Sequence, residues 1–154
     1  MASADFLTAK RNGLAHSWTT TVHTSPAAGT ALLVRNTQAA YNLHLERVFY
    51  FASSNAAIVI HCPTDSATDL AGTAVTGKCL DRRGADTTLA EAKSTETGLS
   101  QGTVLQNDYV VANTTREYSF EGSLFVGNGV SIGLDTVHEA QDCVVTFWTF
   151  FKAI

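Results

Sequence analysis

The chain has 154 residues, the size of one domain with a real core, and only 16% of them are charged, for a formal net charge of −4. That balance does not suit nucleic-acid binding, which needs a basic patch; the only adjacent basic pairs, Lys10-Arg11 and Arg82-Arg83, read as solvated side chains. No apolar run approaches the roughly 20 residues of a membrane helix, and Met1-Ala-Ser-Ala-Asp5 has neither the basic nor the apolar region of a signal peptide.

Residues 1–14 carry Phe6, Leu7 and Leu14 among polar groups with no clear period, and read as an extended N-terminal arm. Too little apolar area is available for the arm to fold alone. It is therefore expected to be flexible in the free protein and to order only against a partner. Phe6, Leu7 and Leu14 would fill pockets there and Lys10 and Arg11 would pair with acids. Residues 15–154 read as a single β-sandwich domain. Ala15–Thr24 is strand-like, with His16, Trp18, Thr20 and Val22 on one face. A turn at Ser25–Gly29 and a short apolar strand over Thr30–Arg35 follow.

The central stretch is Asn42–Cys62. Leu43, Leu45, Phe49 and Phe51 alternate, and the β-branched run Ile58-Val59-Ile60 follows a Ser53-Ser54-Asn55 turn. Two strands joined by a short polar turn predict a hairpin. A bulge at Glu46-Arg47 would instead turn Val48 and Tyr50 inward.

Thr64–Thr76 reads as a polar loop and Lys78–Arg82 as a brief strand. Gly84–Glu96 reads as a loop with one turn or an edge strand, and Gly98–Gly102 as a turn. Thr103–Leu105, Tyr109–Val111, Glu117–Phe120 and Leu124–Val126 are short strands. Gly127-Asn128-Gly129 is a hairpin signal, with Val130–Leu134 after it. Val137–Asp142 is a polar excursion. About eight strands with regular turns and no long helix predict an all-β chain: an antiparallel β-sandwich, jelly-roll-like.

The last strand, Cys143–Phe151, is apolar on both faces. Val145, Phe147, Thr149 and Phe151 lie on one side, and Val144, Thr146, Trp148 and Phe150 on the other. A sandwich strand usually shows one face to water. A subunit interface on Phe147, Trp148, Phe150 and Phe151 is therefore expected, the alternative being cover by the arm or a loop.

The five histidines (His16, His23, His44, His61, His138) show no HxH or HExxH spacing, and a metal site needs three or four ligands. Asp65, Asp69, Asp81 and Asp86 lack calcium-loop spacing. Cys62, Cys79 and Cys143 have no CxxC spacing and read as reduced, volume-filling thiols. There is no GxSxG elbow and no phosphate loop. No catalytic residue, metal or cofactor is expected, and the chain is not read as an enzyme. Trp18 and Tyr109 are candidate sugar-stacking aromatics, though both sit in strand patterns.

Several runs resemble small β-sandwich structural proteins of tailed bacteriophages. They are Leu80–Ala92, Glu96–Leu105, Ala112–Val126, Val130–Thr136, the aromatic last strand and Asn42–Cys62. The resemblance covers most of the chain beyond residue 30 and is carried by loops and strand ends rather than a catalytic motif. It implies a virion protein made in the host cytoplasm, of the type that decorates and cements the capsid surface as a trimeric jelly roll. The partners it implies are two further copies and the major capsid protein or other virion proteins, without nucleic acid or membrane. A tail or fibre component with a carbohydrate-binding sandwich is the alternative.

Overall fold

Two antiparallel sheets packed face to face make up nearly all of the chain in a computed structural model, which describes residues 1–20, 23–25, 29–63, 72–81, 89–96, 102–136 and 141–154. Sheet I runs β10 (Thr115–Val126), β4 (Tyr41–Ala52), β12 (Gln141–Ala153), β1 (Ala15–Thr19) and β7 (Lys78–Cys79), with β2 (His23–Ser25) also paired to β12. Sheet II runs β6 (Thr73–Val75), β8 (Ala90–Glu96), β3 (Gly29–Asn36), β11 (Ser131–Thr136), β5 (Ala56–Cys62) and β9 (Thr103–Val110). The orders β1-β12-β4-β10 and β3-β11-β5-β9 are those of a jelly roll. Eight strands form this framework, where about eight strands were expected in all; β2, β6 and β7 are two or three residues long, and β8 is a seven-residue strand beside β3.

The alternation that marks β4 as a strand also sets its facing. Leu43 and Leu45 point into the core, and so do Val48, Tyr50 and Ala52, because one extra residue intervenes. Thr149 pairs with Leu45 and Trp148 with Arg47, so Glu46 is a bulge. On the other flank, Leu124 pairs with Leu45 and Ser119 with Arg47, so Phe120–Ser123 loops out at the same level. Leu32, Val34, Ile58, Ile60, Ile132, Leu134, Val145, Phe147, Phe151 and Trp18 complete the core. Each large apolar side chain buried there contributes roughly 1.5–3 kcal/mol. The Trp18 indole donates to Thr149 Oγ1 at 2.8 Å, which satisfies its one polar group.

Several local readings are corrected. Asn42–Cys62 is not a hairpin: β4 belongs to sheet I and β5 to sheet II, so the Ser53–Asn55 turn arches across the sandwich. Gly127–Gly129 does turn, with Gly129 at φ 77° and Val130 N donating to Gly127 O, but it too joins opposite sheets. Thr103–Leu105 and Tyr109–Val111 merge into β9, and Glu117–Phe120 and Leu124–Val126 into β10. Thr73–Val75, read as loop, is β6. Of the two readings of Gly84–Glu96, a loop with one turn or an edge strand, Ala90–Glu96 takes the strand, paired with β3 and capped outside by the three-residue β6. The rest of the Thr64–Thr76 and Gly84–Glu96 loops, the Ser25–Gly29 and Gly98–Gly102 turns and the Val137–Asp142 excursion lies largely outside the described residues.

Candidate interaction face on sheet I

The arm is a helix. α1 (Ala4–Arg11) is capped by Ser3, whose Oγ accepts from Phe6 N at 3.2 Å. Asp5 sits in its first turn and Lys10 and Arg11 in its last, matching the helix dipole. At the far end Gly13 takes φ 70°, with Gly13 N donating to Lys10 O and Leu14 N to Ala9 O, a Schellman closure. Eight residues are too few for a stable helix in water; docking supplies the rest. Phe6 and Ala9 are buried against Ala15 and Phe150. The Phe6 ring lies 6.1 Å from Trp148, stacked, and 6.0 Å from Phe150, edge-on.

The bulge at Glu46 anchors this helix. Glu46 is fully buried, and its carboxylate accepts from Ser3 N and from Ser3 Oγ, both at 2.7 Å. An exposed ion pair, Lys152 Nζ to Asp5 Oδ2 at 2.8 Å, closes the other side. The Lys152 ammonium, by hydrogen bond and by charge, holds the Asp5 carboxyl below its ordinary value. The expected extended arm is thus corrected: the segment is a helix, with capping groups at both ends and a buried acid on the sheet beneath it. Phe6 is 3% exposed and Leu14 is half-buried, so neither is an available anchor; Leu7, Lys10 and Arg11 remain exposed.

The expected subunit interface is corrected in the same way. Phe147 and Phe151 point into the sandwich core and Phe150 lies under α1, all three buried. Cover by the N-terminal segment, the alternative weighed for this strand, accounts for Phe150. Trp148 alone of the four stays half-exposed.

What α1 leaves open is an aromatic band along the outer face of sheet I. Trp148 meets Phe49 edge-on at 5.0 Å, and Phe51, 36% exposed, lies two residues further along β4. Beyond the helix, His44 stacks between Phe150 at 4.8 Å and Phe125 at 5.2 Å, and Phe125 is 55% exposed. His44 Nδ1 lies 2.8 Å from Gly122 O on the β10 excursion. Val144 and Thr146 fill the rows between the aromatics, and Arg47 pairs with Glu117 across β4 and β10.

The remaining candidates are placed apart. His44 and His61 lie in different sheets, so they do not face each other across a hairpin. Among the described residues, no group of three His, Cys, Asp or Glu side chains could hold a metal; His138, Asp65, Asp69, Asp86 and the Arg82-Arg83 pair lie outside them. His61 Nε2 sits 2.8 Å from Asp135 Oδ1, and the Thr30 hydroxyl donates to that oxygen at 2.7 Å. The three cysteines are free, Cys143 in the core. Trp18 is 1% exposed and has no face for a sugar; Tyr109 is 54% exposed on β9. No described helix is long and apolar enough to cross a membrane. Comparison with known proteins found no matching family model, no matching curated protein and no matching solved structure.

Proposed function

We propose that this chain is a non-enzymatic structural protein of a virion: a decoration or cement subunit that binds the capsid surface of a tailed phage as a homotrimer. Its partners on this reading are two further copies and the major capsid protein or another virion protein, with no cofactor. The observation that supports it best is the outer face of sheet I, where a rigid sandwich leaves Phe49, Phe51, Trp148 and Phe125 only partly covered. Aromatic surface of this kind marks an interaction site. Leu7, Lys10 and Arg11 on the open side of α1 are the adhesive groups retained from the sequence reading.

Adding purified protein to heads stripped of decoration tests the reading. Saturable binding with a stoichiometry in multiples of three is expected. Leu7→Asp combined with Lys10→Glu and Arg11→Glu is expected to weaken binding while the far-ultraviolet spectrum stays unchanged. Absence of wild-type binding at micromolar concentration refutes the assignment.

Tyr109 favours a second reading, a sugar-binding tail or fibre component, because its exposed ring shares the outward side of β9 with exposed Asn107. A glycan array whose signal vanishes in Tyr109→Ala would select it.

A further inference from the structure

We infer that Gln106, Asp108 and Thr114 guard the open edge of sheet II: their side chains occupy backbone groups along β9 that an added strand would otherwise pair with. The inference does not depend on the trimeric reading, because it concerns a route of association that the chain closes.

The sheet margins show why a guard is needed. An edge strand offers unpaired N–H and C=O groups to any extended segment, and proteins blunt it by brevity, charge, proline or a bulge. Among the described strands, three of the four sheet margins use those means. β6 and β7 are three and two residues long. β10 is long, but its ladder breaks at Phe120–Ser123, where Glu121 has φ 49° and Gly122 φ 70°. It also carries Arg116, Glu117 and Glu121. β9 ends sheet II with eight residues, Thr-Val-Leu-Gln-Asn-Asp-Tyr-Val, which include no lysine, arginine or proline. Its register with β5 shifts at Leu105, between the Ile60–Gln106 and His61–Val104 pairs. That bulge blunts the Thr103 end and leaves Gln106–Val110 as a regular template, on which Tyr109 is 54% exposed.

The hydrogen bonds along this stretch supply what composition does not. Backbone groups of successive residues point to opposite sides of a strand, so Asn107 and Tyr109 turn theirs the same way. The Tyr109 N–H donates to Asp108 Oδ1 at 2.7 Å, which marks that side as the open edge. On the same edge, Asn107 O accepts from Gln106 Nε2 at 3.2 Å. Just past the strand, Val111 O accepts from Thr114 Oγ1 at 2.5 Å and from Thr114 N at 3.3 Å. One backbone group at each of residues 107, 109 and 111 is therefore already taken. The Asp108 cap is itself held in place: the Tyr118 hydroxyl, on β10 of the opposite sheet, donates to its other oxygen, Oδ2, at 2.6 Å. An incoming strand has to break these bonds before it forms its own, so its net gain is small.

Light scattering and thioflavin fluorescence during agitation test the inference. The wild type should keep one fixed mass, whatever its oligomeric number. Asp108→Ala should start open-ended growth about tenfold faster. Gln106→Ala, Asp108→Ala and Thr114→Ala combined should be faster still, both proteins starting from a native far-ultraviolet spectrum. Asp108→Asn, whose amide oxygen can still accept from the Tyr109 N–H, should stay close to the wild type. If it grows as fast as Asp108→Ala, charge rather than the cap protects the edge and the inference falls. Gly77→Ala, strained against Trp18 and distant from β9, is the destabilised control. Growth of that variant at the Asp108→Ala rate traces the effect to unfolding and overturns the inference. Hydrogen exchange on the grown material should show new protection at the Asn107 and Tyr109 amides. Protection that leaves β9 unchanged, or a triple variant that holds the wild-type mass, refutes the guard.

Discussion

Truncating Phe6 to alanine should release α1 while leaving the sandwich folded. The ring is 3% exposed and meets two aromatics, Trp148 and Phe150, at 6.1 and 6.0 Å. Loss of a buried Phe costs about 3–5 kcal/mol when a cavity remains, and each aromatic pair accounts for roughly 0.5–1.5 kcal/mol of that. Little else holds the helix: the small side chain of Ala9, the two hydrogen bonds from Ser3 to Glu46, and the exposed, solvent-screened Asp5–Lys152 pair. Once Phe6 is gone, an eight-residue segment cannot recover about 1–2 kcal/mol of backbone entropy per residue. Undocking then replaces a cavity as the cheaper response. Hydrogen exchange reads this directly, because Leu7 N donates to Ser3 O and Asn12 N to Thr8 O only in the helix. Those amides should lose protection in Phe6→Ala while β4 and β12 keep theirs, and Trp148 should become more accessible to acrylamide. Retained protection at Leu7 and Asn12 would show that some other contact holds the helix and refute the reasoning.

Three further outcomes are expected. A Cβ at Gly77 would sit 2.4–2.7 Å from the Trp18 ring, which cannot retreat without breaking its bond to Thr149, so Gly77→Ala should cost about 1–3 kcal/mol in urea unfolding. The Tyr118 hydroxyl, then the Tyr109 backbone amide, hold the Asp108 carboxyl below its ordinary value. A depressed carboxylate stabilises above its unfolded pKa, and the contribution is lost as pH falls through the folded value. Tyr118→Phe should therefore raise the Asp108 titration midpoint in carboxyl-carbon NMR and flatten the acid limb of the stability curve; an unchanged midpoint counts against the hydrogen bond. Burial, with a smaller contribution from Asp142, pushes the Cys143 thiol up to about 11. At pH 8 it should resist thiol reagents in the native state and react on unfolding, and rapid native labelling would contradict its burial.

Much of the fold was legible because β4 and β12 carry their facing in their spelling. Leu43 and Leu45 alternate, Glu46-Arg47 breaks the pattern, and Val48 and Tyr50 resume it one residue out of step. Turns were legible as turns but not as hairpins or arches: Ser53–Asn55 and Gly127–Gly129 use the same residues whether the next strand pairs beside the last or crosses to the other sheet. The helix was missed for want of apolar periodicity, yet its boundaries were written in local signals. Ser3 before Asp5, Lys10-Arg11 at the end and Gly13 just past it are start and stop signals in the right order. The double apolarity of the last strand was visible; what covers Phe150 depends on a segment more than 130 residues away, which spacing within a strand does not encode.

The Glu46 bulge serves the helix packed on the sheet rather than the sheet itself. Deleting residue 46 would restore an unbroken ladder between β4 and β12, the locally cheaper structure. The same deletion would leave Leu43, Leu45, Val48 and Tyr50 all facing the core, because Glu46 is the one residue that interrupts the alternation. It would also strand the excursion at Phe120–Ser123 opposite no extra residue and take away the acceptor for Ser3. A compensating deletion in β10 would repair the pairing but not restore that acceptor. What the extra residue adds is therefore a carboxylate under α1, not the inward facing of β4.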